Sequence, residues 1–135
     1  LAASLLLEAA AASGRNDEAR ALLEGHYERA PSLDLLEALV ALDRTSDDAQ
    51  RPGRERYALH LAHEPSLVAA TQWLAGERLA HEGFHPAIQR ALDQAAKPLM
   101  RYRCAACGFE ARQHFWQCPG CQSWDSYPAR RVEEL

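Results

Sequence analysis

Two short stretches near the end of the chain decide how it is read: Arg103-Cys104-Ala105-Ala106-Cys107-Gly108-Phe109 and Trp116-Gln117-Cys118-Pro119-Gly120-Cys121. They hold all 4 cysteines of a 135-residue sequence. Two Cys-x-x-Cys pairs, ten residues apart, carry the spacing of a metal knuckle. A Cys-x-x-Cys turn points both sulfurs the same way and directs backbone N–H groups at them. Two such turns on a short hairpin can close a tetrahedral four-sulfur site around one zinc or iron ion. Gly108 follows the first pair, where a tight knuckle favours positive φ. Pro119 and Gly120 suit the second turn. Cys104, Cys107, Cys118 and Cys121 are therefore the expected metal ligands, with a structural role, and sequence does not choose between iron and zinc. Disulfide pairing would need an export route that nothing in these residues indicates. A thioredoxin-like redox pair would need one Cys-x-x-Cys beside a βαβ pattern, which is absent.

Outward from the cysteines, Phe109, Ala111, Phe115 and Trp116 suit two short strands, and Tyr102, Trp124 and Tyr127 flank them. Residues 101–135 are too few to bury a self-sufficient core. Metal binding should supply much of their folding energy, about 10–16 kcal/mol by analogy with zinc-finger peptides. Only Lys97 to Arg103 separates this knuckle from what precedes it, so its aromatic surface is expected to dock on the last helices.

Residues 1–100 are rich in Ala, Leu, Glu and Arg and poor in Val, Ile and Thr, a helical composition. Helices are expected near 1–13, 17–30, 32–44, 54–64, 66–82 and 86–97. Gly14 suits the end of the first, Asn16 or Asp17 the cap of the second, and Pro86 the first turn of the last. Repetition is the stronger signal. Ala30-Pro31-Ser32-Leu33 recurs as Glu64-Pro65-Ser66-Leu67, a displacement of 34 residues, and Pro98-Leu99 follows another 33 residues later. A helix–turn–helix period of that length with proline between units is the mark of tetratricopeptide arrays, whose units bury their apolar faces only by stacking. Thr45 to Gly53 departs from the pattern, being a long polar connection where a tight turn belongs. The expected class is mainly α: a tetratricopeptide-like array over 1–100, then a rubredoxin-like or zinc-ribbon β knuckle over 101–135.

Composition narrows the function. Hydrophobic content of 47% and charged content of 25% are those of a globular protein. The net charge is −4; residues 1–100 carry 10 basic and 15 acidic side chains, and residues 101–135 carry 5 and 4. Neither part has the basic surplus of a phosphate-backbone binder. No apolar run approaches the ~20 residues that span a bilayer. The chain opens at Leu1 inside a helical pattern and its only methionine is Met100, as expected of a soluble fragment from a longer protein.

His81-Glu82-Gly83-Phe84-His85 matches the zinc-protease motif, but that chemistry needs both histidines on one face of an unbroken helix. Gly83 between them and Pro86 directly after make the stretch a turn. His60 and His63 read as a solvated helix face, and His114 as surface. No catalytic residues are expected.

The order of these features resembles the C-terminal part of the lipopolysaccharide assembly protein B family. It consists of helical repeats running into Arg101-Tyr102-Arg103-Cys104-x-x-Cys107-Gly108-Phe109, then Trp116-x-Cys118-Pro119-x-Cys121 and Trp124. The resemblance implies a bacterial inner-membrane regulator with cytoplasmic tetratricopeptide repeats and a rubredoxin-type metal domain. Such a protein is not an enzyme but an adaptor, which helps present the deacetylase of lipid A synthesis to the membrane protease FtsH. The four cysteines would be its metal ligands, and membrane attachment would need a segment absent from this chain. Two rivals share the motif: a rubredoxin-like electron carrier and a nucleic-acid-binding zinc ribbon.

Overall fold

The computed structural model describes residues 2–44, 52–76 and 83–135. Six helices come first: α1 (Ala2–Ser13), α2 (Asn16–Arg29), α3 (Leu33–Asp43), α4 (Pro52–His63), α5 (Leu67–Ala75) and α6 (His85–Ala96). Two short strands follow, β1 (Tyr102–Arg103) and β2 (Glu110–Ala111), and a 3₁₀ turn spans Val132–Glu134. The chain is mainly α with a small β knuckle, as its composition predicts. Among the described residues no helix is long and apolar enough to cross a membrane.

The 34-residue repetition marks helix starts. Ser32 and Ser66 are both in extended backbone, and each hydroxyl accepts a backbone N–H three residues on, from Leu35 at 3.4 Å and Ala69 at 2.9 Å. These are N-caps, each satisfying one donor that the first turn leaves unpaired. The third copy behaves differently. Pro98 and Leu99 follow the end of α6, Met100 N–H bonds back to Ala96, and the chain enters β1 instead of another helix. Gly14 ends α1 at φ +69°. Neither Asn16 nor Asp17 caps α2: the helix already includes both, and the flanking residue is Arg15, which makes no side-chain cap. Arg15 pairs instead with Glu18.

Each helix packs on the next in chain order, and α1 also reaches α3. The central helix is α3, whose sequence is apolar on two faces. Leu33, Leu36 and Val40 join Tyr57, Val68, Ala69 and Ala96 in one core cluster. Ala38, Leu39 and Leu42 join Ala10, Ala19 and Leu23 in another. Each fully buried leucine contributes about 1.5–3 kcal/mol. Polar contacts stitch the same layers. Asp43 is buried at the end of α3, between Arg20 of α2 and Arg56 of α4, and Arg56 also reaches Glu24 at 2.7 Å. His60 is not on a solvated face as expected; it is buried, with Nδ1 2.7 Å from Tyr27 Oη. That helix face turns inward because it meets α2.

Residues 45–51 of the irregular Thr45–Gly53 stretch, and His81 and Glu82 of the protease-like motif, lie outside the described residues. Gly83 is in a turn and His85 opens α6, so the motif does not occupy one helix.

Candidate metal centre

The ribbon is built from two copies of one turn. β1 pairs antiparallel with β2, Tyr102 opposite Ala111 and Arg103 opposite Glu110, so the first Cys-x-x-Cys turn lies at the hairpin's end. In that turn Cys104 N–H donates to Phe109 O at 2.9 Å, and Gly108 N–H donates to Cys104 O at 2.8 Å. The second turn repeats both bonds: Cys118 N–H to Ser123 O at 2.9 Å and Gln122 N–H to Cys118 O at 2.8 Å. A bridge between Gln117 and Trp124 stands where the strand pair stood. Of the residues expected in strands only Ala111 is in one; Phe109, Phe115 and Trp116 lie outside. The knuckle geometry needs positive φ directly after each second cysteine. Gly108 supplies it at φ +76°, and Gln122 adopts it at φ +62° against its side-chain preference. Gly120 serves packing: a Cβ there would meet the Phe109 ring at 3.3 Å.

The sequence-predicted ligands come together. The sulfurs of Cys104, Cys107, Cys118 and Cys121 all lie within 4.8 Å of one another, with 3.8 Å between Cys104 and Cys121 and 3.7 Å between Cys107 and Cys118. A tetrahedron with Zn–S bonds of about 2.3 Å has edges of about 3.8 Å. All four cysteines are free of disulfides. Spacing and donor chemistry thus fit a single thiophilic ion.

The surroundings favour thiolates unequally. Ser126 Oγ is 3.2 Å from Cys104 Sγ; with the N–H groups of Cys107 and Ala106, this hydroxyl lowers the Cys104 pKa to about 6 despite desolvation. The Ser123 hydroxyl and N–H lower Cys121. At Cys107 the Phe109 N–H favours the thiolate, but the sulfurs of Cys121, Cys104 and Cys118 outweigh it and push the thiol up to about 12. Four sulfurs this close cannot all ionise without a cation among them. A bound metal cation would supply that charge, which would link metal affinity and folding of the ribbon to proton release.

Under the sulfurs lie Tyr102, Tyr127 and Phe115. Tyr127 Oη donates to Phe109 O at 3.2 Å and lies 3.8 Å from Cys118 Sγ. His114 is half-buried, not a free surface residue. Its ring packs edge-on against Tyr102, Trp116 and Tyr127, and Nε2 sits 3.0 Å from Tyr127 O. It tightens the aromatic floor without joining the sulfur cluster.

The ribbon docks on the starts of α3 and α5. Tyr102 Oη donates to both oxygens of Asp34, at 2.7 and 2.6 Å. Arg131, buried, donates from Nε to Asp34 at 2.8 Å and forks onto Glu37 at 3.0 and 2.6 Å. Two consecutive glutamates then reach two helix N-termini. Glu134 accepts from Leu33 N–H at 2.9 Å; Glu133 accepts from Ser66 Oγ at 2.8 Å and from the N–H groups of Leu67 and Val68. Carboxylates there also meet the positive ends of the helix dipoles. Sequence reading missed this clasp, because Arg131, Glu133 and Glu134 look like ordinary surface charges and their partners lie far away in the chain.

With this geometry, comparison with known proteins is specific to the ribbon. Residues 102–127 match the LapB zinc ribbon, a rubredoxin metal binding domain. Over 36 residues the chain is also 44% identical to lipopolysaccharide assembly protein B of Escherichia coli strain K12, and equally to that of strains O6:H1 and O157:H7. That stretch is 26% of this chain and 9% of each relative. The chain therefore matches about a tenth of the length of these curated relatives. The ribbon resembles the LapB type.

Proposed function

We propose that this chain is a non-catalytic interaction module, in which one iron or zinc ion on Cys104, Cys107, Cys118 and Cys121 holds a ribbon that braces a helical array. The array, residues 1–100, is a tetratricopeptide-like scaffold, and residues 101–135 form the metal domain. The observation that carries this reading is the clasp. Tyr102 and Arg131 fasten the ribbon to Asp34 and Glu37, and Glu133 and Glu134 seat on α5 and α3. An ion that shapes the ribbon thereby sets the presentation of the helices. Similarity to lipopolysaccharide assembly protein B supports a role in regulating lipopolysaccharide synthesis. On that reading the partners are proteins, FtsH and the lipid A pathway deacetylase. The site of action is the cytoplasmic face of the inner membrane, reached through a segment outside this sequence.

The test compares the wild type with Cys104→Ser in a pull-down from native bacterial membranes, alongside elemental analysis of each protein. The expected result is about one metal ion per wild-type chain, loss of the ion in the variant, and loss of protease and deacetylase from the captured fraction. Retention of the ion and of the partners by Cys104→Ser would overturn the proposal.

The electron-carrier alternative draws on the exposure of Cys107 and Cys121. A reversible potential from native iron would favour it. A nucleic-acid ribbon is disfavoured by charge pairing: Arg103 bonds Glu110 at 2.8 Å, and Arg131 is held by Asp34 and Glu37.

A further inference from the structure

Away from the sulfurs, on the seam between helices and ribbon, a cleft of about 450 Å³ is lined by Lys97, Met100, Arg101, Tyr102, Arg112 and Arg131. Its four cations come from separate segments: Lys97 from the end of α6, Arg101 from just before β1, Arg112 from just after β2, and Arg131 from just before the 3₁₀ turn. Arg131 is matched by Asp34 and Glu37. Arg101 has Glu110 at 3.5 Å, which Arg103 shares at 2.8 Å. Among the described residues Lys97 and Arg112 have no carboxylate partner. Folding thus gathers like charges into one concavity and leaves two of them without a carboxylate, an arrangement whose positive potential attracts an anion.

We propose that this cleft is a binding site for a phosphate group, carried by a small molecule or by a lipid headgroup. Guanidinium forks match phosphate oxygens in pairs, and an ammonium adds a mobile point charge. The volume is in the range of small-ligand pockets and exceeds what a bare anion needs, with Met100 and the Tyr102 ring for an organic body. Arg131, fixed by its carboxylates, gives the cleft a rigid wall. Lys97 and Arg112 are exposed and supply the adaptable part. This site is independent of the adaptor reading and of the ion's identity.

The test uses the metal-loaded full chain and the double variant Lys97→Gln/Arg112→Gln, two exposed positions that support no packing. Inorganic phosphate and glycerol phosphate are titrated at constant ionic strength while the Arg112 side-chain N–H resonance and binding heat are followed. Expected are saturable shifts in the wild type and affinity weakened about tenfold or more in the double variant, a change of about 1.4 kcal/mol. Flotation with phosphatidylcholine vesicles, with and without phosphatidic acid, separates the sources. Capture dependent on phosphatidic acid and lost in the variant assigns a lipid headgroup; saturable phosphate binding without capture assigns a soluble phosphorylated ligand. Linear, non-saturating shifts, equal effects from chloride, or equal affinity in the double variant would overturn the proposal.

Discussion

Replacing Arg131 with methionine removes the guanidinium that joins ribbon to array while retaining the apolar stem and much of the volume. The Arg131 side chain is only 8% exposed, and each of its three nitrogens donates to Asp34 or Glu37, which are 19% and 34% exposed. Breaking a buried ion pair by deleting one partner costs about 3–5 kcal/mol, because the other charge stays behind unpaired. Two features place this case at the low end. Asp34 keeps the Tyr102 hydroxyl, and Glu37 can turn to water. The expected loss is about 3 kcal/mol, or roughly 10 °C in melting temperature for a chain of this size. Urea unfolding of the metal-loaded protein should be followed by far-ultraviolet circular dichroism for the helices and by tryptophan fluorescence, since two of the three tryptophans, Trp116 and Trp124, lie in the ribbon. Adding Asp34→Asn to Arg131→Met should cost less than the two single losses combined. A loss below about 1 kcal/mol, the worth of an ordinary surface ion pair, would refute the view that Arg131 clamps the two parts.

The matched knuckles predict opposite outcomes at their equivalent positions. Gly108→Ala should lose about 1 kcal/mol because alanine resists φ +76°, whereas Gln122→Gly should hold or raise stability by up to about 1 kcal/mol; a clear loss in Gln122→Gly by chemical unfolding would contradict the equivalence. Burial works against ionised Asp43, but hydrogen bonds from Arg56 and Arg20 hold its carboxyl below the usual range. Its stabilisation is therefore present above about pH 4, the unfolded value, and is lost as pH falls through the lower folded value. Asp43→Asn should accordingly flatten the acid limb of a helicity-against-pH curve, and an unchanged limb would count against the pairing.

What could be read in the sequence was local. The cysteine spacing located all four sulfurs, and the returning Pro-Ser-Leu located two helix starts, because turns and caps depend on residues a few positions apart. The errors share the opposite cause. His60 meets Tyr27 from the neighbouring helix, and His114 meets Tyr102 and Tyr127 across the ribbon. Neither contact has a spacing rule. Gln122 hides its backbone demand because the residue that announces it in the first knuckle is glycine. Arg131, Glu133 and Glu134 look like ordinary surface charges because what they meet lies far upstream: Asp34 and Glu37 for the arginine, and the starts of α5 and α3 for the two glutamates.

Glu133 and Glu134 are adjacent, so their carboxylates can reach only a limited distance apart, yet each occupies the start of a different helix. Those starts are successive copies of one motif, so the pair acts as a caliper closed on a single repeat. Inserting or deleting residues between Ser32 and Ser66 would have to preserve the gap between the two jaws or unseat one glutamate. The ribbon thus inspects the spacing of the two helix starts on which it sits, and a chain in which they drift apart loses its hold on the ribbon.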